Sequence, residues 1–234
     1  EAGRSMIYDC ALLADEMAEA EAKGDKKAAE AIDDRLGLLT PILKGFLTEV
    51  GLEAANMGIQ VYGGHGYIQS NGQEQIARDV RIASVWEGTT QIQALDLLGR
   101  KVMMQKFRPL NLHLSGLYKL GWKNLTAPTS TKYGKLRKHA AILLKESARW
   151  HALTGGIALK AAKNKDAVGI ASEPYLMLAG YVSLAEHWLK MEATAAAALE
   201  KDPNGPDADF YKGKIAAAEF CFTNVLPRIS SLVP

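Results

Sequence analysis

Gln60-Val-Tyr-Gly-Gly-His-Gly-Tyr67, followed after Arg78-Asp79 by Val85-Trp-Glu-Gly-Thr-Thr-Gln-Ile-Gln93, is the stretch from which the rest of the chain can be ordered. Ahead of it, Leu43, Phe46, Leu47, Val50, Ala54, Met57 and Val61 recur at helical spacing. They predict one long helix over 41–62, with Thr40 as N-cap, Pro41 at the first helical position and Gly63-Gly64 as its stop. Ser70-Asn71-Gly72 then opens another helix with Ile76, Val80 and Ala83 on its inner side, and a third starts near Gly88 carrying Ile92, Leu95, Leu98 and Val102. One carboxylate, Glu87, stands where the loop enters that third helix.

Outward from this centre almost everything reads as helix. Met6, Cys10, Leu13 and Met17 share one face of a first helix that fades at Lys23-Gly24, and a short helical piece follows to about Leu38. Periodicity is lost from about Lys106 to Ser130, around Pro109 and Pro128, which predicts a linker over 106–129. Helices are expected again at 131–163, 173–200 and 208–230, the second introduced by Ser172-Glu-Pro174. No segment alternates like a strand. The expected fold is all-α, a helical bundle over 1–105 followed by a second helical module over 130–234.

Bulk properties exclude several classes. With 234 residues, 48% hydrophobic and 23% charged, the chain has the composition of a globular protein rather than a disordered one. No apolar run approaches the roughly 18 residues that a membrane helix needs, and the expected location is cytoplasmic. Cys10 and Cys221 lie far apart in apolar helical patterns, which favours buried thiols over a disulfide and gives no metal-ligand spacing. The net charge of +2 conceals a division: residues 1–100 hold 9 Lys/Arg against 16 Asp/Glu, and residues 101–234 hold 19 against 10. Between Lys101 and Lys165, 14 basic residues face only Glu146, so this zone either attracts an anionic partner or docks on the acidic first half. The aromatic residues Tyr133, Trp150, Tyr175, Tyr181 and Trp188 near it fit core packing better than base stacking.

The two motifs, in this order and at this spacing, resemble the carboxy-terminal helical domain of the acyl-CoA dehydrogenases. The resemblance is close from about Glu49 to Arg100. It continues more weakly through Phe210-Tyr-Lys-Gly-Lys214 and Val225-Leu-Pro227, which look like the extra helical module of one branch. It implies FAD as cofactor, an acyl-CoA substrate, an electron-transfer flavoprotein as acceptor and a homodimer or tetramer. On this resemblance Glu87 is the general base that takes the α-proton while a hydride leaves the β-carbon, giving a trans-2-enoyl-CoA. Its backbone N–H helps polarise the thioester oxygen. Gln60, Gly63 and Gly64 fall where the FAD diphosphate or adenosine part of a neighbouring subunit is approached, and Thr89 and Gln91 match dinucleotide contacts.

The residues themselves carry physical reasons for and against these roles. A base needs a fixed backbone and a dry setting, which bulky Trp86 and bare Gly88 on either side of Glu87 would favour; a first-turn Glu is also simply stabilised by the helix dipole. Successive glycines let N–H groups reach phosphate oxygens, yet Gly63-Gly64 also suits a helix C-cap, and Thr89 and Gln91 could be solvated first-turn residues. His65 is expected to be a hydrogen-bonded turn residue, and Arg78 and Asp79 to make ion pairs with other elements.

Two relatives of the same superfamily remain as alternatives. Acyl-CoA oxidases share Gly-Gly-His-Gly-Tyr and pass electrons to oxygen. Alkylation-response flavoproteins share Trp-Glu-Gly and bind DNA through a basic carboxy-terminal region, although Thr90-Gln91-Ile92-Gln93 and Phe210-Tyr-Lys-Gly-Lys214 favour the dehydrogenases. A non-catalytic helical interaction module is the third possibility. The family's amino-terminal helical and central β domains would precede Glu1, so the 234-residue chain is expected to be a fragment that neither binds FAD well nor turns over acyl-CoA alone.

Overall fold

The computed structural model describes residues 1–126 and 132–232. Among them the fold is helical, with no strand. Helix α1 (Ala2–Ala22) and α2 (Lys26–Tyr62) form an antiparallel pair. Two 3-10 turns, Gly63–Tyr67 and Gln69–Asn71, lead into α3 (Gln73–Arg81). A loop around Trp86 opens α4 (Thr90–Leu95), which continues with wider π-type winding over Asp96–Met104. Then come α5 (Arg108–Thr126), α6 (Leu136–Ala161), α7 (Asp166–Lys201) and α8 (Ala208–Phe220), with irregular turns over Cys221–Arg228 and a last turn α9 (Ile229–Leu232).

The central element is α7. It is buried on nearly every side, as a helix apolar all round should be, and packs against α1, α2 and α4 as well as α6 and α8. One apolar core therefore runs from Ala2 and Phe46 through Trp150 and Leu176 to Ile229. Ion pairs reinforce it: Arg108 reaches Glu30 (2.6 Å) and Asp34 (2.9 Å), Lys190 reaches Asp9 (3.0 Å), and Arg228 reaches Glu53 (2.7 Å). In each pair a base of the second half meets an acid of the first. Of the bases between Lys101 and Lys165, only Arg108 takes part in these pairs.

Several sequence expectations are corrected. Pro41 does not start a helix but lies inside α2, and Thr40 donates its hydroxyl to the Leu36 carbonyl (2.7 Å) instead of capping. An interior proline costs about 3 kcal/mol. Leu38, Ile42 and Phe46 around it are fully buried, at about 1.5–3 kcal/mol each, so packing outweighs the lost bond. Pro174 is likewise inside α7, which begins eight residues earlier, at Asp166.

The expected linker over 106–129 is mostly α5. Pro109 sits in its first turn, where no intrahelical N–H is needed, and Leu110, Leu114 and Leu117 make its buried stripe. Pro128 and Ser130 lie outside the described residues. Regular helix ends at Phe220 rather than 230.

Toward the motif the expected inner faces are uncovered. Met57 and Val61 at the end of α2 are exposed, as are Ile76 on α3 and Ile92 and Leu95 on α4. Ala94, Leu97, Leu98 and Val102 take the core side of α4 and its continuation. Cys221 is buried, which pushes its thiol up to about 12, while Cys10 is half-buried; both are free. No described helix is long and apolar enough to cross a membrane.

Candidate active site

The loop into α4 is held by three contacts, all from side chains that the sequence left without a role. Glu87 adopts φ 55, a left-handed conformation that costs a side-chain-bearing residue about 1–2 kcal/mol. Gln93 Nε2 donates to the Glu87 carbonyl at 3.2 Å, and Lys44 Nζ donates to the Gly88 carbonyl. One residue on, the Thr90 hydroxyl donates to the Glu49 carboxylate. Lys44 and Glu49 both belong to α2, so the long helix supplies two anchors for the turn. Gly88 is required by its φ of 93, and a Cβ there would also press on Gln93 Nε2, 2.8 Å away at the movable end of its side chain. Thr89 caps α4, its hydroxyl oxygen accepting from the Ile92 N–H at 3.4 Å.

The Glu87 side chain is exposed, and Trp86 beside it is 58% exposed. This corrects the expectation that Trp86 keeps Glu87 dry: the described chain leaves the carboxylate in water. The strained backbone aims it outward all the same. Large apolar side chains stand exposed beside it at Ile82, Val85 and Trp86, and toward the far end of α2 at Val61, Tyr62 and Tyr67. Exposed apolar residues in such number suit a face covered by another polypeptide.

At the other end of α2 the three motif glycines have separate causes. Gly63 takes φ 59 as the C-cap, its N–H donating to the Gln60 carbonyl. Gly66 packs on α2, where a Cβ would fall 2.5 Å from the Ile59 carbonyl oxygen. Gly64 has neither constraint; a Cβ there would meet nothing within 4 Å. The exposed bend at Gly63 and Gly64 thus offers backbone that an outside group can approach closely.

Gln60 is exposed and lines a groove of about 530 Å³ along α2 with Glu49, Glu53 and Asn56. The groove ends at the carboxylate that holds Thr90, which connects the two motifs through one helix face. Its two acids disfavour an anion inside it, so an anion would sit at the bend rather than in the groove. Gln91, expected as a dinucleotide contact, gives its Nε2 to Ser172 Oγ (2.9 Å) on α7. Its carbonyl oxygen and its second amide N–H are left for anything else.

The remaining candidates are structural. Asn71 Nδ2 donates to the His65 carbonyl at 2.7 Å. Arg78 pairs with Glu74 (2.7 Å), and Asp79 accepts from Gln75 Nε2 (2.7 Å). Both contacts lie within α3, which corrects the expectation of ion pairs to other elements; i,i+4 neighbours on one helix are simply nearer. Trp150, Tyr175, Tyr181 and Trp188 are buried in the core and present no stacking face beside the lysines.

Comparison with known proteins identifies the family. Residues 1–103 match the family described as "Acyl-CoA dehydrogenase, C-terminal domain", and residues 112–233 match "Acetyl-CoA dehydrogenase C-terminal like". The chain belongs to the acyl-CoA dehydrogenase family. It is 34% identical over 209 residues to 3-methylmercaptopropionyl-CoA dehydrogenase of Ruegeria pomeroyi, covering 89% of this chain and 34% of that protein. With the broad-specificity linear acyl-CoA dehydrogenase FadE5 of Mycobacterium tuberculosis it shares 32% over 213 residues, 88% of this chain and 33% of the relative. A butyryl-CoA dehydrogenase of Syntrophomonas wolfei is 27% identical over 233 residues, 98% of this chain and 36% of its own length. The chain therefore spans about a third of the length of these curated relatives.

Proposed function

We propose that this chain forms part of an FAD-dependent dehydrogenase that converts an acyl-CoA to its trans-2-enoyl-CoA, with Glu87 as the general base. The observation that carries this is the pinned, left-handed Glu87 on a loop anchored from α2 and α4. A proton acceptor must be held on a rigid backbone, and this one is held in a conformation that only added contacts make tolerable. The apolar surface around Trp86 is where a second polypeptide surface would close over the carboxylate and exclude water.

Gln60, Gly63 and Gly64 would hold the phosphate or adenosine part of FAD at the open bend, and Thr89 and the side-chain amide of Gln91 would approach the dinucleotide from the start of α4. When bound, FAD accepts the hydride that leaves the β-carbon. Glu87 would take the α-proton, and its backbone N–H would donate to the thioester oxygen. An electron-transfer flavoprotein is the proposed acceptor, and the homodimer or tetramer implied by the family would bring the bend at Gly63 to a neighbouring subunit. The 234-residue chain alone would be inactive.

The test is Glu87→Gln in a full-length protein that contains this chain. Acyl-CoA oxidation should fall by about 10²–10⁴-fold, the usual worth of a positioned base, with FAD content and folding unchanged. Undiminished turnover would remove Glu87 from the chemistry.

A further inference from the structure

A second cavity lies on the face of α7 that looks away from α4, between the C-terminal half of α6 and the N-terminal half of α7. Its volume of about 640 Å³ falls within the roughly 300–1,000 Å³ of small-molecule pockets. It is predominantly apolar. Leu153, Ile157, Tyr175 and Leu178 line it from the two helices, and Leu232 of α9 contributes to it. The Tyr175 hydroxyl is bonded to Thr154 Oγ1 at 2.9 Å, so the buried side offers no free polar tip.

The polar end has one chemical character. Lys160, Lys163 and Asn164 line the groove where α6 turns into α7, and neither lysine has a carboxylate within 4.0 Å among the described residues. Asn164 accepts the Asp166 N–H through its side-chain oxygen at 2.9 Å, which leaves its amide N–H groups free to donate. Asp166 itself does not line the groove. Donors and positive charge at one end of an apolar trough select a ligand with a hydrocarbon body and a single anionic head.

Gly156 adds an independent sign. It lies well inside α6, lines the groove, and a Cβ there would meet nothing within 4 Å. A glycine inside a helix weakens it. Here no contact in the chain requires one, and a side chain at this position would enter the open space of the trough.

We infer that this groove binds a medium-chain fatty carboxylate, its head on Lys160, Lys163 and Asn164 and its tail between Leu153, Ile157 and Leu178. The site shares no residue with the Glu87 loop and does not depend on that loop's function. Ser172, which meets Gln91, projects from a different side of α7 than Ile170 and Pro174, which line the groove.

Isothermal titration of the 234-residue chain with decanoate, decanol and decyltrimethylammonium, each below its micelle concentration, tests it. Decanoate should saturate at one per chain and bind at least about tenfold more tightly than the other two. Gly156→Leu, which fills the trough, and the double variant Lys160→Glu/Lys163→Glu should each weaken decanoate by at least about tenfold. The charge reversal should also shift preference toward the cation. All three positions are exposed, and circular dichroism checks that the variants remain helical. Glu87→Gln should bind decanoate unchanged. Absence of saturable binding, equal binding of all three ligands, or binding indifferent to both variants would overturn the assignment. So would loss of binding in Glu87→Gln, which would move the ligand to the other site.

Discussion

Gln93 Nε2 lies 3.2 Å from the Glu87 carbonyl oxygen, so a side chain of α4 fastens the backbone of the residue proposed to do the chemistry. The same amide nitrogen stands where a side chain at Gly88 would have to go. Gln93 thus fixes the turn, while the positive φ of Gly88 accounts for the glycine. Gln93→Ala should leave the helices intact but let the carboxylate wander. Misplacement on the ångström scale costs about 10²-fold in rate, so a full-length protein with Gln93→Ala should lose about ten- to a hundredfold in kcat with KM changed less. Steady-state kinetics distinguishes this from a loss in KM alone, which would assign Gln93 to substrate binding.

The strain at Glu87 makes stability and activity move in opposite directions. Glu87→Gly relieves a left-handed conformation that costs about 1–2 kcal/mol, partly offset by the greater freedom of glycine in the unfolded chain. Urea denaturation of the chain should show a gain of about 0.5–1 kcal/mol. A loss of stability would mean that the contacts of Lys44 and Gln93 depend on the glutamate side chain.

Among the described glycines, Gly180 of α7 is the one approached most closely, by the Phe46 ring of α2. A Cβ at Gly180 would lie 2.1 Å from the Phe46 ring, which in turn meets the Tyr181 ring edge-on at 5.0 Å. Gly180→Ala should destabilise by about 1–3 kcal/mol through overpacking. Phe46→Leu should partly rescue it, and the double-mutant cycle should show coupling of at least about 0.5 kcal/mol. Additive losses would contradict the packing described.

A buried polar cluster joins α7 to α1 and α5, and it sets the pH dependence of stability. Burial holds the His113 and His187 imidazoles below the ordinary histidine value of 6.5. Burial opposes ionisation of Glu186, yet His113, Lys190 and His187 together bring its carboxyl below the ordinary 4.5. As pH falls through 6.5 the unfolded chain takes up protons that the folded imidazoles refuse, and stability declines from there downward. The part contributed by ionised Glu186 is present above 4.5 and is lost as pH falls through its lower folded value. Urea midpoints should therefore drop between about pH 7 and about pH 5, and His113→Gln should flatten that step. A midpoint constant over this range would show that neither imidazole resists protonation.

Periodicity made the helical class and the centre of the chain legible, because the stripes of α1 and α2 and the glycine stop at Gly63 are local signals. The prolines misled: Pro41 and Pro174 read as helix starts, since the burial of Phe46 and Leu176 that keeps those helices continuous is a tertiary fact. Helix α5 was missed for a related reason, its polar and glycine positions masking the Leu110, Leu114 and Leu117 stripe. At the site, Glu87 and the glycines stood out by motif, whereas Lys44 and Glu49 did not. Each is an unremarked polar residue on α2, and only the packing of α4 against that helix gives them the loop to hold. The buried pair His139 and Glu192, 2.6 Å apart, was equally invisible, because charged residues on a helix usually indicate its wet face.

Removal of a proton from the acyl group by Glu87 can be followed by anaerobic mixing of acyl-CoA with a full-length protein containing this chain. Bleaching of the oxidised flavin reports the reductive half-reaction without any electron acceptor. Bleaching should be rapid in the wild type and slowed by about 10²–10⁴-fold in Glu87→Gln at equal FAD content. Equal rates in the two proteins would contradict that role of Glu87.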